Sequence, residues 1–148
     1  MEHPSTLTSM ANLALTYWSQ GRWKEAEDLE VQVMETSLRV FSAEHPDTLT
    51  SMAKLALTYR NQGRYKEAED LFVQVVETRK RVLGAEHLDT LTSIINLASI
   101  FWNQGHWKEA EDLEVQVMET SLRVLSAEYP DTLTSIANLA LIFWNQGH

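Results

Sequence analysis

Five histidines, 21 carboxylates and a recurring series of side-chain amides are the groups in this 148-residue chain that could do chemistry; there is no cysteine. The lack of thiols removes a disulfide framework, thiolate metal sites and a cysteine nucleophile. His3, His45 and His87 recur at one register, and the remaining two are His106 and His148. A role in turns and helix caps suits them better than a shared metal ion, whose ligands must converge on one point. Paired carboxylates such as Glu69-Asp70 recur in each unit of the chain. Such recurrence marks a solvated helix face rather than one catalytic acid–base pair. No Gly-rich phosphate loop, HExxH or GxSxG occurs, so neither an enzyme nor a metal or other cofactor is expected.

The elements that position these groups come from an internal repeat. Glu2-His-Pro-Ser-Thr-Leu-Thr-Ser returns as Glu44-His-Pro-Asp-Thr-Leu-Thr-Ser, Glu86-His-Leu-Asp-Thr-Leu-Thr-Ser and Glu128-Tyr-Pro-Asp-Thr-Leu-Thr-Ser, always 42 residues apart. Units 2–43 and 86–127 agree at 32 of 42 positions. The chain is therefore read as one repeat array, with units 2–43, 44–85 and 86–127 and a half unit 128–148.

Each unit reads as two helices. In the second, Pro46-Asp47 opens helix A, since Pro suits the first helical position and an acid there meets the positive end of the helix dipole. Met52, Leu55, Ala56 and Tyr59 follow at helical spacing. Gly63, with Gly21, Gly105 and Gly147 at its register, ends helix A. Helix B runs from about Tyr65 to Leu83, with an apolar stripe of Ala68, Leu71, Phe72, Val75 and Val82 and with Val76 beside it. A turn of one or two residues makes A and B antiparallel. Leu88 replaces the start-signal Pro in unit three and is expected to be tolerated.

These positions resemble the tetratricopeptide repeat. The Leu-small pair is Leu13-Ala14, Leu55-Ala56, Leu97-Ala98 and Leu139-Ala140. One turn later stand Tyr17, Tyr59, Phe101 and Phe143; after the Gly come Trp23, Tyr65 and Trp107, then Ala26, Ala68 and Ala110. The length of 42 residues and the wording Asn-Leu-Ala and Gly-x-Tyr/Trp-Lys-Glu-Ala-Glu are similar to the longer repeats of kinesin light chain and of arrays at the C-terminal end of nucleotide-binding signalling proteins. The resemblance implies an all-α right-handed solenoid of seven helices, with A helices lining a concave groove that holds a protein or peptide. It also places the like histidines one repeat, roughly 10 Å, apart, too far to share a metal ion.

Helical spacing leaves one face of each A helix outside the core. Asn12, Asn96 and Asn138 stand there, with Lys54 at the same register. An amide can pair with a peptide group in either sense, so a series at one-repeat spacing suits an extended chain. Asn61, Asn103 and Asn145 lie two turns further along, and Trp18, Arg60, Trp102 and Trp144 at the edge of the same face. Lys54 and Arg60 would attract an acidic side chain or a terminal carboxylate. The other reading is that the amides fix the register of neighbouring repeats and the Trp rings pack under adjacent units. In mid helix B, Glu30 and Glu114 replace the family's usual aromatic, here only Phe72. Each either reaches a Thr or Ser on the next A helix or turns to solvent.

The net charge of -9 argues against nucleic-acid and anionic membrane partners. Of the 21 acids, 14 fall in B helices and 7 in the inter-repeat turns and first turns of A. The groove is left neutral to slightly basic, compatible with an acidic or uncharged peptide. No transmembrane span or secretory leader is expected, and a cytoplasmic setting follows as the default. The chain reads as an excerpt from a longer array. Head-to-tail stacking of its ends on further copies is the alternative role.

Overall fold

The computed structural model describes residues 4–128 together with Leu141 and Trp144. Within them lie six α-helices: α1 (Pro4–Ser19), α2 (Trp23–Val40), α3 (Pro46–Asn61), α4 (Tyr65–Leu83), α5 (Leu88–Asn103) and α6 (Trp107–Glu128). The A helices are α1, α3 and α5, and the B helices are α2, α4 and α6. The seventh expected helix falls in the half unit 128–148, almost wholly outside the described residues. The extensive contacts run between chain neighbours, α1 on α2, α2 on α3 and so on to α6. Packing of each element chiefly on the next is the solenoid arrangement.

Local chemistry sets the helix ends. The backbone N–H of Asp47 donates to His45 Nδ1 at 3.0 Å, and that of Asp89 to His87 Nδ1 at 3.0 Å. These two histidines are thus N-caps, satisfying a donor that the first helical turn leaves unpaired. Leu88 stands where the other units carry Pro, and α5 still begins there. At the other end of α3, Gly63 takes φ +81°, a left-handed conformation that costs a residue with a Cβ about 1–2 kcal/mol. The Arg64 N–H then donates to the Tyr59 carbonyl at 2.8 Å, closing the helix. The link from α3 to α4 is three residues, Gln62–Arg64, slightly longer than the spacing suggests.

The core follows the small-residue and apolar positions. Ala56 and Ala68 are fully buried where α3 crosses α4, and Phe72, Ile94 and Ile100 pack into the same cluster between α4 and α5. Leu55 and Leu97 are 1% and 6% exposed, whereas Leu13 at the same register is 45% exposed. The difference is the preceding B helix, which covers α3 and α5; among the described residues none stands before α1. Val82 corrects the expected stripe of helix B: it is 47% exposed, because the last turn of α4 lies outside that cluster. Arg81 pairs with Glu44 and Arg123 with Glu86, tying the C-terminal parts of α4 and α6 to the opening turns of their own units. Both pairs are exposed and contribute little beyond orientation.

Candidate functional site

The first seam, between units one and two, is open on its A-helix face. A cavity of about 240 Å³ is walled by Ala11, Ala14, Leu15 and Trp18 of α1 and by Lys54 and Leu57 of α3. Glu30 and Val33 of α2 form its floor. Dry apolar cavities of about 150 Å³ already admit benzene, so this one has room for a large apolar side chain.

The floor explains why the space exists. Glu30 is 7% exposed and accepts a hydrogen bond from Thr58 Oγ1 on the next A helix. One turn earlier, Glu27 accepts from Gln62 Nε2 at 3.0 Å and pairs with Arg64 at 2.9 Å. The seam is therefore held by polar contacts and leaves volume beside the carboxylate. At the second seam the same registers carry Phe72 and Ile100, both fully buried in one cluster. There Arg60 reaches across from α3, its Nη1 donating to Ser99 Oγ of α5 at 3.0 Å. Phe72 fills what Glu30 leaves empty, and Arg60 bridges what Trp18 leaves open.

Burial pushes the Glu30 carboxyl up from 4.5 to about 7; the Thr58 hydrogen bond and the Lys54 charge oppose the shift, and Glu27 adds to it. Within the A helices, α1 carries no charged residue, and α3 has Lys54 and Arg60 beyond its first turn. Several acids of α2, α4 and α6 pair with a cation on the same helix, such as Lys24–Asp28, Lys66–Asp70 and Lys108–Asp112.

The residues singled out above separate into distinct groups. Asn12 and Asn103 are exposed, and Asn61 and Asn96 half-buried; among the described residues none of these four amides is hydrogen-bonded within the chain. Lys54 is exposed at the rim of the cavity. Arg60 is half-buried and donates one hydrogen bond to Ser99 Oγ of the next A helix. Trp18 packs edge-on against Trp23 with centroids 5.5 Å apart, and Trp102 lies 6.0 Å from Trp107. Both rings thus meet the first residue of their own B helix. Trp102 and Trp144 are exposed, while Asn138 and Asn145 lie outside the described residues. Glu114 is exposed, and the segment expected to face it lies almost wholly outside the described residues. Among the described residues no cluster of three His, Asp or Glu could hold a metal ion, and no helix is long and apolar enough to cross a membrane.

Sequence reading missed the Glu27–Gln62–Arg64 network and the cavity. A signal for the seam was present. Glu30 is followed 28 residues later, on the next unit's A helix, by Thr58, and Phe72 likewise by Ile100, a polar pair and an apolar pair at one register.

Comparison with known proteins agrees with this architecture. Two models described as tetratricopeptide repeat match, one over residues 47–122 and one over residues 6–47. No curated protein matches. Among solved structures, the nearly identical TPR-like repeats assigned to a kinesin light chain of Podosopora anserina superpose with a TM-score of 0.77 at 35% identity, covering 99% of this chain and 70% of that one. A variant of those repeats gives the same score and identity over 69% of its chain. BtubC (BKLC) of P. vanneervenii gives 0.74 at 17% identity over 81% of this chain and 48% of its own, a likeness of fold. Tetratricopeptide repeats mediate protein–protein interaction and assembly, and this chain belongs to the tetratricopeptide repeat family.

Proposed function

We propose that the chain is an interaction scaffold that holds a partner's peptide segment along the A-helix face, with one apolar side chain seated in the first seam. The observation that carries this reading is the 240 Å³ cavity opening between α1 and α3. Apolar walls supply the burial, and unpaired amides at Asn12 and Asn96, two repeats apart with Lys54 at the register between them, supply backbone hydrogen bonds. Lys54 at the rim favours an acidic or uncharged segment. A cytoplasmic setting accords with a cysteine-free chain. The test is a titration of acidic and neutral peptides, selected from a displayed random library, by fluorescence anisotropy. Lys54→Glu should weaken the acidic peptides by about tenfold, an effect that fades at high salt, and leave the neutral ones within twofold. Equal affinities for the acidic set would remove Lys54 from the site.

A second reading, head-to-tail self-association, is favoured by Leu13, which is 45% exposed where Leu55 and Leu97 are covered by a B helix. A second copy's B helix would cover it in the same way. Sedimentation equilibrium should then show mass rising with concentration, and Leu13→Asp should hold the chain as a monomer. A monomer at every concentration in the parent chain contradicts the stacking.

A further inference from the structure

Glu30 is an unusual floor for an apolar cavity. It is buried, it accepts a hydrogen bond from Thr58 Oγ1, and it lines the space that the proposed ligand side chain would fill. The groups facing it are few. Packed against it, α1 contributes no charge, its titratable side chain being Tyr17. On α2, Glu27 is one turn away and already holds Arg64 and Gln62. On α3, Lys54 is exposed at the rim and Thr58 donates the hydrogen bond, while Arg60 is turned to Ser99.

Filling the cavity with an uncharged apolar side chain removes the water that reaches the carboxylate from that side. An ionised carboxylate left with one hydrogen bond and a distant cation in such a site is strongly disfavoured, whereas a neutral carboxylic acid tolerates it. A cationic side chain would instead favour the ionised form, but Lys54 at the rim repels it. We propose that occupancy of the first-seam cavity by an uncharged apolar side chain is coupled to uptake of a proton by Glu30, so that the groove grips such ligands more tightly as pH falls. This rests on the reading of the cavity as a ligand site. The ordinary state of Glu30, already raised to about 7 by burial, places the coupling near neutral pH. The second seam serves as an internal contrast, because Phe72 occupies the register of Glu30 and has no proton to exchange.

The probe is N-acetylphenylalanine amide, a neutral compound carrying one apolar side chain. It is titrated into the protein at about pH 5.5 and about pH 8.5, with the Trp18 indole N–H followed by NMR. The dissociation constant should be about tenfold lower at the acid pH, and the ratio should fall to near one in Glu30→Gln, which keeps an acceptor for Thr58 but cannot ionise. Calorimetry of the wild type near pH 7.5 in phosphate and in Tris should show uptake of a sizeable fraction of a proton per probe bound. No response of Trp18 at either pH overturns the ligand site and the coupling together. Binding with equal affinity at both pH values, and no proton taken up, leaves the ligand site standing and overturns the coupling.

Discussion

Phe72→Glu should destabilise the second seam by about 4 kcal/mol or more and separate the unfolding of α5 and α6 from that of α1 to α4. Phe72 is fully buried against α5 in a cluster with Ile94, Leu97 and Ile100. A carboxylate there faces Ile100, which offers no donor, and an unpartnered buried charge costs about 3–5 kcal/mol. In a repeat array the loss falls on one interface, so cooperativity breaks at that point. Adding Ile100→Thr recreates the pair that Glu30 and Thr58 make at the first seam. The double variant should recover about 1–2 kcal/mol relative to the sum of the single changes. Urea unfolding of the four proteins in a double-mutant cycle measures this. Strict additivity would mean that the two seams are not built on matched pairs.

The second large effect is on pH. In the folded chain the Glu30 carboxyl is raised from 4.5 to about 7, with burial the main cause. Folding therefore favours the neutral form. Its contribution is full below about pH 4.5 and is lost as pH rises through about 7, by at most about 3 kcal/mol. Wild type should be less stable at about pH 8.5 than at about pH 5.5 when each is referred to Glu30→Gln at the same pH. That reference cancels whatever the two proteins share, including the capping hydrogen bonds that His45 and His87 accept through Nδ1. The variant carries the same histidines, so the difference isolates Glu30. Midpoints of urea unfolding at the two pH values provide the comparison. A constant difference between wild type and Glu30→Gln would show that the carboxyl gains no advantage from being neutral.

Much of the fold is legible in the residues because each signal is local. Pro46, Gly63 and the Tyr65–Leu83 periodicity mark where α3 and α4 begin and end, and the structure places the same boundaries there. His45 and His87 fall in the turns where caps belong. Facing is less legible than periodicity. Leu13, Leu55 and Leu97 stand at one register, each followed by Ala, yet only the latter two are covered, since cover comes from the preceding B helix. Val82 continues an apolar stripe beyond the reach of its neighbours. The site is harder still. Arg60 reads as a free cation until the distance to Ser99 is known. Trp18 reads as ligand-facing or core, and it packs on Trp23 while also walling the cavity. A cavity is a difference between the volumes of residues on three helices, and no periodicity records it.

The central claim is that the open first seam is where the chain meets its partner. The second seam shows how such a seam closes: Phe72 and Ile100 occupy the registers of Glu30 and Thr58. Installing that pair in the first seam, as Glu30→Phe with Thr58→Ile, should fill the cavity with the array still folded and its thermal midpoint unchanged or higher. The affinity for library-selected peptides, measured by anisotropy on wild type and on this double variant, tests the claim most directly. The account predicts a loss of at least about tenfold in the filled variant. Full affinity in a folded protein whose first seam is filled would contradict it.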